Sequence, residues 1–236
     1  MDTKQKVDRF IEETRSVVDD KGSNTGLPPG TLPFVTISSQ SGAGGNRLTQ
    51  ALAEMLENDT SGNAALKDWR IFDKNMCQLV LKEEHLAESM NDLLHEEYHS
   101  QIHEFVMGLY GDHGMQNVAY ARLARLLRTI ASVGKVIIQG HGGCMATSAL
   151  AGGTHLRLVA PLQDRAARMA SVLQLSEEEA SRKILRRDKD QQNLFKTHYR
   201  LDSADPELYD MVCNTGRMSI DTVAEFTMSL IHKQID

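Results

Sequence analysis

Phe34-Val35-Thr36-Ile37-Ser38-Ser39-Gln40-Ser41-Gly42-Ala43-Gly44-Gly45-Asn46-Arg47 joins an apolar run to a glycine-rich turn. Directly after it, Leu48, Ala51, Leu52, Met55 and Leu56 recur at helical spacing, so the stretch reads as strand, loop, helix. At such a junction successive backbone N–H groups and the first turn of the helix converge on an anion-sized space. The Walker pattern G-x-x-x-x-G-K-[ST] is not met, because Ser39 stands for the first Gly, Gly45 for the Lys and Asn46 for the Ser/Thr. From this segment alone, an anion site and a tight turn that needs glycine for its backbone angles fit equally well.

Four further short apolar runs follow, at Trp69–Phe72, Lys135–Gln139, His155–Val159 and Tyr209–Cys213, separated by helical patterns or loops. Five strands alternating with helices predict a parallel sheet covered on both faces. Ser176-Glu177-Glu178-Glu179 predicts a capping box, and Ser219-Ile220-Asp221 opens a last helix. The stretch from Met76 to Ile130 is almost wholly helical in pattern and is expected to insert between the second and third strands. Val7, Phe10, Ile11, Val17 and Val18 predict a helix before the glycine- and proline-rich stretch Gly22–Gly30. The expected organisation is a helical N-terminal arm and linker over 1–33 and an α/β domain over 34–236.

Composition bounds the function. The 236 residues are 41% hydrophobic and 25% charged, with five prolines, which excludes a disordered or collagen-like chain. Lys and Arg number 26 against 32 Asp and Glu, a formal charge of −6, the wrong sign for a surface that grips nucleic acid. Cys77, Cys144 and Cys213 are isolated and form no C-x-x-C pair, so reduced structural thiols are expected. No stretch approaches the ~20 apolar residues of a membrane span. A cytoplasmic protein without nucleic-acid or membrane partners is expected.

With these motifs in place, the chain resembles the cytidylate kinase-like family, a divergent bacterial branch of the nucleoside monophosphate kinases with a P-loop NTPase fold. The resemblance rests on six ordered segments: Ile37 to Gly45, Phe72-Asp73-Lys74-Asn75-Met76, Val136 to Gly142, Arg157 to Arg165, Leu175 to Ala180, and Asp205 to Thr215. Together they cover roughly residues 34 to 232. The resemblance implies a five-stranded P-loop fold with a helical insertion and a lid, and transfer of a phosphoryl group from ATP with Mg²⁺ to a nucleoside monophosphate, CMP. It implies that Ser39, Gly42, Ala43, Gly44, Gly45, Asn46 and Arg47 hold the donor phosphates. Asp73, Gly140 and His141 would line the acceptor site, and Arg186, Arg187 and Lys189 would be the catalytic cations of a lid. No other metal site is implied.

The departures from the family pattern bear on catalysis. Asn46 and His141 stand where the family has arginine, Gln191 replaces a lid arginine, and Gln139 occupies the place of an aspartate in orthodox cytidylate kinases. Loss of one preorganised charge-stabilising donor can cost about 3 to 4 kcal/mol of barrier. A nucleotide- or phosphate-binding module that has lost catalysis is therefore the alternative reading. For His141 two roles are open, a loop histidine bonded to nearby backbone or an imidazolium on the acceptor phosphate. His95-Glu96-Glu97-Tyr98-His99 matches H-E-x-x-H, but its polar neighbours fit a solvated helix better than a zinc hydrolase centre.

Overall fold

The computed structural model describes residues 2–21, 32–83 and 118–235. His95, Glu96 and His99, and most of the expected helical insertion, lie outside the described residues. Within them the chain forms β1 (Phe34–Ser39), β2 (Arg70–Phe72), β3 (Val136–Gln139), β4 (Gly153–Val159) and β5 (Met211–Asn214). The helices are α1 (Thr3–Lys21), α2 (Gly45–Glu57), α3 (Lys74–Lys82), α4 (Val118–Val133), α5 (Gly143–Thr147), α6 (Leu162–Leu173), α7 (Glu177–His198) and α8 (Ile220–Ile235).

The strands form one parallel sheet in the order β2-β3-β1-β4-β5. The first apolar run is the central strand, and Phe34, Val35, Thr36, Ile37 and Ser38 are all buried. A strand covered on both faces has no polar side to show, which is why β1 reads as a continuous run. On one face α2 and α8 pack Leu48, Leu52, Leu56, Val223 and Ile231 against Val35, Ile37 and Leu156. On the other, α1, α3 and α4 pack around Phe34, Phe72, Val136 and Ile138. Each such side chain taken out of water contributes about 1.5 to 3 kcal/mol.

Both predicted caps are present. Ser176 and Glu179 bond reciprocally at the start of α7, and Thr222 N–H donates to Ser219 Oγ at the start of α8. Between α6 and α7, Gln174 takes a left-handed φ of 53° and Leu175 N–H returns to the Ala170 carbonyl, so the two helices fold back on each other as a hairpin. The three cysteines are buried and unpaired, and burial pushes the Cys144 thiol up to about 11, the range of an unreactive side chain.

α1 lays Val7, Phe10 and Ile11 into the core. The Phe10 and Phe72 rings sit 5.2 Å apart, and the Arg70 guanidinium lies 5.4 Å over Phe10. Arg70 is itself buried, donating to Thr14 Oγ1 at 2.6 Å and to the Gly134 carbonyl at 2.6 Å. Phe10→Ala removes a ring from between a strand and a buried cation, so it should cost about 3 kcal/mol. An unchanged urea midpoint would show that α1 does not support the domain.

Candidate active site at the C-terminal end of the sheet

Ligands of open parallel sheets bind beyond the carboxyl ends of the strands, where the connections diverge to opposite sides. Here that point is the end of β1, flanked by β3 and β4. The glycine loop leaves β1 there and enters α2. Gly42 and Gly44 have φ of 81° and 100°, a region that residues with side chains avoid. A β-carbon at Gly44 would also stand 2.7 Å from Ile220 Cδ1. The first N–H groups of α2 have no partner inside the helix and open toward this space.

The loop is held by its carbonyls. Arg165 Nη1 donates to the Ser41 carbonyl at 3.1 Å, and Thr215 Oγ1 donates to the Ala43 carbonyl at 2.8 Å. Thr215 is in turn gripped by Arg168 at its hydroxyl and its carbonyl. Gln40 N–H donates to the Leu158 carbonyl at 3.0 Å, and its side chain accepts from Ala160 N–H at 3.1 Å. Arg165 is nearly fully buried and completes its contacts on the Ala160 carbonyl and the Asp188 carboxylate. The other oxygen of Asp188 accepts from Ser41 N–H at 2.8 Å. An α7 carboxylate thus rests on the glycine loop.

The three α7 residues read as lid cations all lie on its exposed side. Ile184 and Asp188 face inward, while Arg186, Arg187 and Lys189 are exposed. Arg187 lies beside Lys74 at the start of α3. Desolvation first, and then Arg187, hold the Lys74 ammonium below its usual range. Lys74 also neighbours His141, so Lys74, Arg187 and His141 share one flank of the crevice. Asp73 caps α3, its Oδ1 accepting from Asn75 and Met76 N–H at 2.8 and 2.9 Å. Arg47 is exposed on α2, and Asn46 bonds with Gln139.

Gly140, His141 and Gly142 carry three successive positive φ values, 81°, 51° and 77°. The turn fits because a β-carbon at Gly142 would meet Tyr199 Oη at 2.5 Å, and Tyr199 Oη donates to the His141 carbonyl at 3.3 Å. Burial, and then Lys74, push the His141 imidazole down to about 4, and its buried Nδ1 has no hydrogen-bond partner among the described residues. The side chain is neutral at pH 7 and does not use backbone to satisfy that nitrogen.

Four contributors to this site were not singled out from sequence: Lys74, Arg165, Arg168 and Thr215. Arg165 and Thr215 lie inside the family-like segments that end the Arg157 and Asp205 motifs, and their placement just beyond the carboxyl ends of β4 and β5 was the available signal.

The profile of the cytidylate kinase-like family matches residues 34–217, from the first residue of β1 to just beyond β5. The chain belongs to the cytidylate kinase-like family. It is 36% identical over 104 residues to a cytidylate kinase of Ignicoccus hospitalis, a match covering 44% of this chain and 60% of that one. It is 32% identical over 110 residues to a cytidylate kinase of Sulfolobus acidocaldarius, covering 46% and 59%. The chain thus spans about 60% of the length of these relatives. An uncharacterised protein from Eubacterium ventriosum shares the fold at a TM-score of 0.64 and 16% identity, over 86% of this chain and 99% of that one. The family supports a nucleotide kinase-like function. Among the described residues no helix is long and apolar enough to cross a membrane.

His141 makes the family member's stability pH-dependent. Its ordinary value is 6.5 and its folded value about 4, so the unfolded chain takes up the proton first. Its contribution to stability is full above pH 6.5 and drains as pH falls toward 4. His141→Asn, which tolerates the left-handed backbone, should flatten this limb in urea midpoints taken from pH 7 to 4. Parallel curves for the two proteins would contradict a buried neutral imidazole.

Proposed function

We propose that this protein is a phosphotransferase that moves the γ-phosphoryl of ATP to a nucleoside monophosphate, CMP by family. The observation that carries the reading is the glycine loop itself: Arg165 and Thr215 tie its Ser41 and Ala43 carbonyls, Asp188 and the Gln40 carbonyl take the Ser41 and Ala43 N–H groups, and the N–H groups from Gly44 into the first turn of α2 are left for an anion at the mouth of the sheet. That cradle fits a polyphosphate and depends on no lysine. The backbone of Gly42 to Arg47 would hold the donor phosphates, with Ser39 and Ala43 shaping the loop. Mg²⁺ would be carried on those phosphates, where it offsets their charge. Among the described residues no three His, Cys, Asp or Glu side chains form a metal cage.

Phosphoryl transfer asks mainly for alignment and for cations around the equatorial oxygens. Lys74 and Arg187, on the flank beside Gly140 and His141, would receive the acceptor phosphate, while Arg165 stays bound to the loop. Arg186 and Lys189 would join them as α7 closes. Asp73 would act on the acceptor side through the start of α3, which its carboxylate fixes. A second reading, binding without transfer, is favoured by the neutral groups at positions 45, 46, 139, 141 and 191.

A coupled assay of ATP with a panel of monophosphates separates the two. CMP should give turnover below the usual ~1 to 100 s⁻¹ of kinases. Arg187→Ala should lower it by about 100-fold, and His141→Arg with Gln191→Arg should raise it. Turnover inside the usual range would contradict the weight given to the neutral positions. No turnover with any monophosphate, with ATP still bound, would select the binding module.

A further inference from the structure

The junction of the glycine loop with α2 holds a contact that fixes the polarity of one side chain. Gln139, the last residue of β3, is buried with 8% exposure, and its Cα lies in register with Ile37. Its Nε2 donates to Asn46 Oδ1. The same nitrogen would stand 3.2 Å from a β-carbon at Gly45, and Ser39 Oγ would stand 2.6 Å from it. Glycine at 45 therefore gives Gln139 the room to reach across.

A side-chain amide has one oxygen that accepts and one nitrogen that donates twice. Gln139 takes one lone pair of the Asn46 oxygen and so fixes which end of the amide is turned toward β3. The other end of the exposed Asn46, on the first turn of α2, is its Nδ2 with two N–H donors. Position 46 is the place where the Walker pattern puts a hydroxyl oxygen on Mg²⁺, and here the side chain's one oxygen is turned to Gln139. We infer that Asn46 donates a hydrogen bond to a phosphoryl oxygen instead of ligating the metal, and that Gln139 is the positioning residue that orients its amide. The inference rests on the reading that this loop takes the donor phosphates.

Two near-isosteric variants test it by calorimetry with ATP, in EDTA and again with Mg²⁺, at pH 8 so that a buried carboxyl is ionised. Asn46→Asp keeps the oxygen that Gln139 holds and turns the donor into an anion. Gln139→Glu can only accept, which forces the Asn46 amide to rotate and present its oxygen. Wild type should bind ATP without metal. Each variant should lose about tenfold or more of that metal-free affinity, the scale of a hydrogen bond to a charged group, and lose clearly less when Mg²⁺ is present. Metal-free affinity within twofold of wild type in the exposed Asn46→Asp variant, or equal losses with and without Mg²⁺, would overturn the inference. Wild type that binds no ATP under either condition would overturn the donor-phosphate reading itself.

Discussion

A glycine loop can present its N–H groups to one side only if something pulls its carbonyls to the other. Here Arg165 takes the Ser41 carbonyl and Thr215 the Ala43 carbonyl. Both partners stand just past the ends of β4 and β5, so the sheet order that places β4 beside β1 also delivers the two restraints. Preorganised donors cost no rearrangement when the anion arrives, which is the condition for strong electrostatic stabilisation. The same guanidinium is neutralised by Asp188, which also accepts from Ser41 N–H. One partly buried ion pair therefore joins the loop, the α6–α7 hairpin and the exit of β4. Removing either partner would leave an uncompensated charge against the loop.

That arrangement changes where positive charge sits. A Walker lysine would project from the first turn of α2, but Gly45 there is packed under Ser39 and Gln139. The cations lie elsewhere instead: Arg165 buried against the loop, Lys74 and Arg187 on the flank beside His141. Lys74 and Arg187 repel each other enough to lower the Lys74 ammonium, after desolvation, and Lys74 helps keep His141 neutral. A dianion bound among them, as proposed for the acceptor phosphate, would relieve both effects.

Sequence made the central strand, the glycine loop and the α7 capping box legible, because each is a local pattern: an apolar run, a turn that needs positive φ, a Ser three residues before a Glu. The loop's restraints were not legible, because Ser41 and Arg165 are separated by 124 positions and Ala43 and Thr215 by 172. Gln139 and Asn46 each read as a departure from the family, and only the pairing of β3 with β1 shows that they are partners. His141 illustrates the same limit. Its residue type left two protonation states open, and the burial that decides between them comes from the fold.

On the reading proposed above, backbone N–H groups aimed by these restraints make the anion site. Amide chemical shifts followed by ¹⁵N NMR during titration with ADP test it residue by residue. The largest shifts are expected at Gly42 to Arg47, and they should be lost in Gly44→Val, where the added side chain meets Ile220. Shifts that leave this stretch unmoved while ADP binds elsewhere would contradict it.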